Sequence, residues 1–243
     1  MLQNYKILIS YDGTDFHGWQ RQSHKPTIQG TIEDSLLKIT KNRISITGAG
    51  RTDAGVHAQG QIANFKADIR LNEKELFFAL NSHLPGSIRI NSVEKVNHEF
   101  HSIKMAKSKI YQYRIFNSPY MSPFIHRYVY QWNSPLDIES MKKGACLFIR
   151  EDDFSAFSSN RLLYPVRKVT ISNIQKNEAE IIYTVEANGF LRYMVRSMVG
   201  TLLEIGRGKV KPNIIDQLFR EKKRTLSTPT APAKGLCLIK VNL

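Results

Sequence analysis

One carboxylate and one guanidinium stand among three glycines in residues 48–55 of this 243-residue chain. Asp53 supplies the carboxylate and Arg51 the guanidinium, while Gly48, Gly50 and Gly55 let the backbone bend where other residues would be strained. Alternating apolar residues predict one strand before this segment and another after it. A charged loop between two stiff elements is a common place for catalytic groups.

The glycine spacing argues against a nucleotide-binding loop and against an aspartic protease. Residues 48–50 begin like a dinucleotide fingerprint, but Asp53 occupies the third glycine position, where a carboxylate would repel a pyrophosphate. An aspartic protease needs two carboxylates that share a proton. The only other candidate, at residues 12–14, has its residues in the wrong order. On the loop alone, a turn-stabilising aspartate remains an open interpretation of Asp53.

The histidines do not predict a metal site. His98 and His101 are three residues apart without a third ligand at a familiar spacing, and His17, His57 and His126 are isolated. We therefore expect no bound metal.

Two further segments contain residues that could serve an aspartate acting on a nucleic acid. A helix predicted over residues 189–205 carries Arg192 and Arg196 four residues apart, and a nearby cation would keep Asp53 ionised by lowering its pKa. A strand predicted over residues 110–116 places Tyr111 and Tyr113 on one face, and tyrosine can stack on a base. A solvated helix face and a core tyrosine are the alternative interpretations.

Charge points to a polyanionic partner. The chain has 35 basic and 21 acidic residues, a formal net charge of +14, which favours nucleic acid over a membrane surface. Cys146 and Cys237 lie far apart in apolar surroundings and are expected to be core residues. The N-terminus has no signal-peptide pattern and no long apolar run occurs, which favours a cytoplasmic protein.

Strand and helix patterns mix without regular βαβ alternation, which predicts an α+β fold and not a doubly wound sheet. Strands are expected at residues 5–11, 43–47, 61–65, 89–96, 110–116, 166–174, 180–187 and 236–241. Helices are expected at residues 27–41, 72–80, 137–148, 189–205 and 213–220.

Five segments, taken together, resemble the tRNA pseudouridine synthase A family (tRNA pseudouridine synthase I). They are residues 11–22, the loop at 50–57, Phe100-His101 followed by 111–114, the segment 189–208, and 230–236. The resemblance runs nearly from end to end.

This resemblance implies an enzyme that isomerises uridine to pseudouridine at positions 38 to 40 of the tRNA anticodon stem-loop, without a cofactor or metal. By the match, Asp53 is the catalytic nucleophile, acting on either the sugar or the uracil ring. Arg196 would pair with Asp53. Tyr111 would stack on the target base, and Arg51 would contact the tRNA and help to flip that base out of the helix, since an enzyme cannot reach a stacked base.

The family also implies two similar α+β domains with antiparallel sheets flanking a basic active-site cleft, and a homodimer. We expect the domains at residues 1–105 and 106–243. Phe100, His101 and Lys104 fall in the segment expected to contact RNA. Ile103 stands where the family usually has an arginine, and the loop between Phe157 and Arg167 is about two residues shorter than expected. Both departures affect the tRNA footprint and not the catalytic loop.

Two rival functions can be separated from this prediction. In a non-catalytic RNA-binding protein, the positive charge would serve to bind RNA but Asp53 would have no role. A hydrolase using Asp53 as a base should show a second acid or base partner, which the sequence does not offer.

Overall fold

The computed structural model describes residues 2–159 and 163–243. The chain divides into two compact units: the residues through Lys107 together with Leu238–Leu243, and Ser108–Cys237. The predicted boundary at residue 105 differs from this division by two residues. The last six residues lie with the first unit, because the final strand returns to the sheet of that unit.

The first unit combines an antiparallel sheet with three helices. Its elements are β1 (Gln3–Tyr11), α1 (Ile28–Thr40), β2 (Thr47–Gly48), β3 (His57–Ala67), α2 (Glu73–His83), β4 (Ile88–Val96) and α3 (Ser102–Met105), followed at the end of the chain by most of β10 (Leu236–Asn242). The strands are ordered β4-β1-β3-β10, and β2 pairs with β3. Every second side chain of β1 is buried from Tyr5 to Tyr11, as the alternating sequence predicts.

The helices of the first unit begin and end at sequence signals. The Thr27 side chain accepts a hydrogen bond from the Gly30 amide at the start of α1, and Lys41 adopts a left-handed conformation at its end. Asn72 and Glu75 form the reciprocal capping box that their spacing predicts for α2. These caps satisfy backbone groups that a helix end would otherwise leave unpaired.

The second unit also combines strands with helices. Its elements are β5 (Ser108–Phe116), β6 (Tyr130–Gln131), α4 (Ile138–Cys146), β7 (Glu151–Asp153), β8 (Val166–Asn177), β9 (Glu180–Ala187), α5 (Met194–Gly206) and α6 (Ile214–Glu221). The strands are ordered β5-β9-β8-β7 in antiparallel pairs, with the short β6 parallel to β5. The α+β prediction is therefore confirmed.

Two element predictions were wrong in informative ways. Of the strand predicted over residues 43–47, only Thr47 is in a strand, because side chains of α1 bind the backbone of Ile46. Glu33 accepts from the Ile46 amide at 3.1 Å, and Gln29 donates to its carbonyl at 3.0 Å. With both groups satisfied, this segment needs no strand partner.

The helix predicted over residues 189–205 begins only at Met194. Tyr193 has φ of 63°, in the left-handed region, which interrupts a right-handed helix. The carbonyl of Arg192 accepts from the Ser159 amide at 3.2 Å. Arg192 therefore lies in a turn before the helix, and Arg192 and Arg196 do not form the predicted pair on one helix flank.

The cysteine prediction was wrong for Cys146, which is exposed at the end of α4, while Cys237 is half-buried. In the part of the chain that the structure describes, no helix is both long and apolar enough to cross a bilayer. Part of the predicted RNA-contacting loop between Phe157 and Arg167, residues 160–162, lies outside the described residues.

Candidate active site

The aspartate loop, defined as residues 48–56, is fixed from one side by β3. The Ala49 amide donates to the Ile62 carbonyl at 2.7 Å. The Gln61 side chain, which is fully buried, donates from Nε2 to the Gly50 carbonyl at 2.8 Å. A side chain at Gly48 would meet the Trp19 ring at 2.5 Å, so the absence of a Cβ allows this close packing. The first half of the loop is therefore bonded to the sheet.

The segment of residues 12–19 fixes the loop from the other side. The Trp19 amide donates to the Thr52 carbonyl at 3.0 Å, and the Gly55 amide donates to the Phe16 carbonyl at 3.2 Å. Gly18 has φ of +87°, and a Cβ there would lie 2.7 Å from the Thr52 carbonyl oxygen. The two backbone segments therefore run in direct contact on both sides of Asp53.

Buried side chains complete this framework. The hydroxyl groups of Tyr11 and Thr52 are 2.8 Å apart, and both residues are buried. His57, which is 4% exposed, accepts at Nδ1 from the Gly13 amide at 3.1 Å, and its Nδ1 lies 3.2 Å from Asp12 Oδ1. His57 thus holds residues 12–13 against the end of the loop.

Asp53 is half-buried and Arg51 is exposed. The two neighbours Thr52 and Val56 are 7% and 2% exposed, and the Val56 amide donates to the Asp53 carbonyl at 3.1 Å. The backbone around Asp53 is thus a tight turn whose flanking side chains face the interior. Arg51 lies on the outer surface of the same turn.

A second set of buried amides attaches residues 97–105 to the sheet. Asn4, 1% exposed, donates from Nδ2 to the carbonyls of Asn97 and Phe100 at 3.0 and 2.9 Å. Asn64 accepts from the Ser102 amide at 3.0 Å. These bonds fix the segment expected to contact RNA.

The same segment is also tied to the start of the aspartate loop. The Ser102 hydroxyl donates to the Thr47 carbonyl at 2.7 Å, one residue before the loop begins. Three of the predicted RNA contacts flank this anchor: Phe100 and His101 are half-buried, and Lys104 is exposed. The His101 ring accepts from the Ile103 amide at 3.3 Å, which caps α3. The first unit thus connects five predicted site residues through one short backbone framework.

Tyr111 lies in the second unit on β5, where it is 6% exposed. Its ring meets Phe190 edge-on, with centroids 5.1 Å apart and an interplanar angle of 83°. Tyr113 points to the same face but is fully buried and donates its hydroxyl to the Pro232 carbonyl at 2.8 Å. Burial raises the pKa of Tyr113 well above its usual range, so this residue is a neutral core tyrosine.

Arg196 lies in the first turn of α5 and is half-buried. Its Nε donates to the Ala231 carbonyl at 2.7 Å, and its own carbonyl accepts from the Ala231 amide at 3.0 Å. The guanidinium carbon lies 4.8 Å from the centroid of the Tyr193 ring. Burial, with a smaller effect of Arg196, lowers the pKa of Arg224, so two guanidinium groups share this region.

Several positioning residues were missed by sequence reasoning. Gln61 and Asn64 occupy buried positions of β3 within an apolar run, and Asn4 does so in β1. A polar residue at an inward strand position is a detectable signal, because burying it without a partner costs free energy. Its partner, however, cannot be identified before the fold is known.

The two histidines that are three residues apart make separate contacts. His98 and His101 have different partners, since the His98 ring lies 3.0 Å from Lys66 Nζ while His101 caps a helix. Within residues 2–159 and 163–243, no group of three or more His, Cys, Asp or Glu side chains could hold a metal ion.

Comparison with known proteins gives consistent results across the whole chain. A family model described as tRNA pseudouridine synthase matches residues 7–103 and 145–242. A tRNA pseudouridine synthase A of Thermodesulfovibrio yellowstonii is 42% identical over 250 residues, covering 98% of each chain. Proteins of the same name from Thermoanaerobacter sp. and Acetivibrio thermocellus are 41% and 39% identical over 242 residues, with 99% of each chain covered.

Proposed function

Because the chain belongs to the tRNA pseudouridine synthase family and is therefore an isomerase that acts on uridine in tRNA, we propose that its targets are positions 38 to 40 of the anticodon stem-loop. We further propose that Asp53 is the nucleophile and that the target uridine is flipped out of the stem. The family assignment establishes the isomerase activity. The position on tRNA and the residue roles are the parts that require a test.

The reaction is an isomerisation that leaves the atomic composition of the nucleoside unchanged. The bond from uracil N1 to ribose C1′ breaks, the uracil turns over, and a bond from C5 to C1′ forms. The C5 proton leaves and N1 gains a proton, so nothing is oxidised or reduced. A carboxylate nucleophile divides this exchange into two easier steps. Asp53 can attack either ribose C1′ or the uracil ring, and both routes pass through a covalent adduct.

One observation supports Asp53 above all others. The loop around it is bonded to β3 at Ala49 and Gly50 and to residues 16–19 at Thr52 and Gly55. A nucleophile is effective when its position is set before the substrate arrives, since a displacement of about 1 Å can cost about 100-fold in rate. A turn-stabilising aspartate would not need support from two separate segments.

The remaining site residues have roles that follow from their chemistry. Arg51, exposed beside Asp53, is proposed to enter the stem and offset the cost of unstacking, a few kcal/mol per flipped base. Tyr111, whose ring is held by Phe190, is proposed to stack on the flipped uracil. Arg196 is proposed to pair with Asp53 and keep it ionised, because a planar guanidinium suits a carboxylate.

Binding of the rest of the tRNA is assigned to surface groups of the first unit and to overall charge. Phe100, His101 and Lys104 are proposed to contact the anticodon stem-loop, because their segment is anchored at Thr47 beside the aspartate loop. The formal charge of +14 provides the phosphate attraction that dominates such binding. A homodimer and a cytoplasmic location are proposed from the family resemblance.

The test is tritium release from tRNA labelled at uracil C5, because only formation of the new carbon bond expels that hydrogen. We expect release by the wild type and no detectable release by Asp53→Asn, which should still bind tRNA. Asp68→Asn is the matched control, an exposed aspartate of the same unit, and should release tritium normally. Mapping pseudouridine in tRNA from cells with and without the protein tests positions 38 to 40.

Three outcomes separate the alternatives. A fully active Asp53→Asn enzyme would remove Asp53 from catalysis. Binding without release by the wild type would leave a non-catalytic RNA-binding protein. Pseudouridine lost at positions outside 38 to 40 would retain the isomerase and contradict the proposed target.

A further inference from the structure

Two basic side chains of the second unit, Lys109 and Arg167, lie on the strand of Tyr111 and beside the residue before Phe190, respectively. Lys109 precedes Tyr111 by two residues on β5, so both side chains project from the same face of the strand. Their partners on the adjacent strand β9 are Ala187 and Val185, which are small or apolar. The carboxylate of Glu186 projects from the opposite face, where it accepts from the Ser108 hydroxyl.

Arg167 approaches this face from the start of β8. Its Nε lies 3.4 Å from the position that a Cβ on Gly189 would occupy. The next residue, Phe190, is the one that meets the Tyr111 ring edge-on. Arg167 donates from Nη1 to the carbonyls of Tyr164 and Val166 at 2.8 and 2.6 Å, which holds the guanidinium in place.

Among the described residues, no carboxylate is paired with Lys109 or Arg167. Both side chains are half-buried, and burial together with the adjacent Arg167 guanidinium lowers the pKa of Lys109. Burial also lowers the pKa of Arg167. Within the described part of the chain, neither residue forms a salt bridge with a carboxylate.

Nearby acidic groups are engaged elsewhere. Asp152 is opposite Arg167 in the ladder between β7 and β8, but its carboxylate accepts from the Asp153 amide at 2.7 Å and lies 4.0 Å from Arg150. Glu151 pairs with Lys168 at 3.8 Å. Two adjacent, partly desolvated cations without a counter-charge are unfavourable in the folded protein, and a bound anion would remove that cost.

The geometry points to a phosphate-binding site: we propose that Lys109 and Arg167 bind a phosphodiester of the RNA strand whose uridine stacks on Tyr111. This inference rests on the proposed role of Tyr111 and extends it. A lysine supplies a compact charge and an arginine a planar fork, and both are common phosphate ligands. Binding the backbone beside the flipped nucleotide would help to hold the base in the site.

The first experiment measures tRNA affinity as a function of salt. Each phosphate contact contributes about 0.7 to 0.9 to the slope of log affinity against log salt concentration. We expect Lys109→Met to lower that slope by this amount and to weaken binding about 10-fold at low salt, as for a lost charge-assisted hydrogen bond. Lys109→Arg should retain the slope. Lys176→Met, an exposed lysine of β8, is the matched control and should change neither quantity.

The second measurement is thermal stability without RNA. If Lys109 is an uncompensated cation, Lys109→Met should raise the melting temperature by about 2–4 °C, while Lys176→Met leaves it unchanged. A variant that is more stable yet binds RNA less tightly identifies a ligand site and excludes general misfolding. A lower melting temperature together with an unchanged slope would overturn the proposal.

The position of the contact can be tested with the RNA. A neutral methylphosphonate in place of a phosphate flanking the target uridine should weaken binding by the wild type but should cost Lys109→Met nothing further. Equal losses in both proteins would contradict the assignment to the target strand. Inorganic phosphate that stabilises the wild type but not Lys109→Met, with an unchanged RNA salt slope, would indicate a free-anion site instead. Binding is measured independently of tritium release, so failure of the proposed reaction would be visible separately.

Discussion

The aspartate loop of the first unit and the arginine turn of the second, residues 191–196, are held by different kinds of contact. The aspartate loop is bonded mainly by backbone groups and by neutral side chains such as Gln61 and Thr52. The arginine turn is attached to Ala231 through the charged side chain of Arg196 and through the backbone of both residues. Neutral hydrogen bonds are insensitive to salt, whereas the interactions of a half-buried charge such as Arg196 are screened in part.

The two regions share one feature, a glycine that packs closely against a backbone carbonyl group. In the first unit, a Cβ on Gly13 would lie 2.0 Å from the Val56 carbonyl oxygen, at the end of the aspartate loop. In the second, a Cβ on Gly200 would lie 1.8 Å from the Pro229 carbonyl oxygen, beside the segment that binds Arg196. In each unit, therefore, a backbone carbonyl group packs so closely against a glycine that no side chain would fit there. We infer that the first contact sets the position of Asp53 and the second sets the position of Arg196.

The largest expected effect comes from filling the first contact. Gly13→Ala forces Val56 and the end of the loop to move, because the obstructing atom belongs to the backbone. We expect a loss of about 1–3 kcal/mol in the free energy of unfolding and a fall of about 100-fold or more in tritium release. tRNA affinity should fall less than turnover, because the substitution leaves the charge that attracts the phosphates unchanged.

Matched glycine variants make this result specific. Gly86→Ala is the control, because its Cβ would meet only the flexible end of Arg89 at 3.9 Å. Gly200→Ala should lower turnover and weaken tRNA binding by no more than several-fold, because it displaces the segment that holds Arg196. If Gly13→Ala and Gly200→Ala lost rate and affinity in the same proportion, the distinction between the two regions would be wrong.

The next effect in size concerns the arginine itself. If Arg196 pairs with Asp53 in the closed site, Arg196→Ala should reduce turnover about 100-fold while weakening tRNA binding only several-fold, because removing one partner of a buried pair is costly. Arg196→Lys should recover part of the rate, since it retains the charge and loses the bond from Nε to Ala231. Arg220→Ala, an exposed arginine of α6, is the control for turnover.

Single-turnover rates and equilibrium binding measure the two quantities separately. Equal losses in rate and affinity for Arg196→Ala would make Arg196 an ordinary phosphate contact. The melting temperature should be recorded in parallel, because the alanine variant also loses the contact with the Ala231 carbonyl.

Local sequence patterns predicted the elements that carry the site. Alternation located β1 and β5, the spacing of apolar residues located α1, and a capping signal located the start of α2, because these features depend on neighbours in the chain. The same local logic failed at residues 189–193. Phe190 and Leu191 extend the helical spacing of apolar residues of α5 toward the N-terminus. Tyr193, however, adopts a left-handed conformation that no local sequence pattern predicts.

The support of the aspartate loop could not be predicted from the sequence. The motif at residues 11–22 resembled a family signature, but its physical role is to line the loop, through contacts between residues about 40 positions apart. Such contacts depend on the pairing of β1 with β3, which brings Tyr11 beside Ala58. Pairing of this kind follows from the whole sheet and not from any single segment.

The smallest effect tests whether neutral side chains support the loop as proposed. Thr52→Val removes the hydroxyl that lies 2.8 Å from that of Tyr11 and leaves the volume nearly unchanged. We expect a cost of about 1 kcal/mol in unfolding free energy and a severalfold loss of turnover, because Thr52 is adjacent to Asp53. Both losses should be the same at low and high salt, because neither hydroxyl group carries a charge.

A double-mutant cycle with Tyr11→Phe isolates this one hydrogen bond. If the two hydroxyl groups act as a pair, the double variant should cost less than the sum of the single variants, because neither partner is then left without the other. Denaturant unfolding gives the coupling energy, and tritium release under single-turnover conditions shows whether the same coupling reaches the chemical step. Additive losses in both would mean that the bond contributes nothing as a pair, and the backbone contacts from residues 13–19 would then position Asp53 alone.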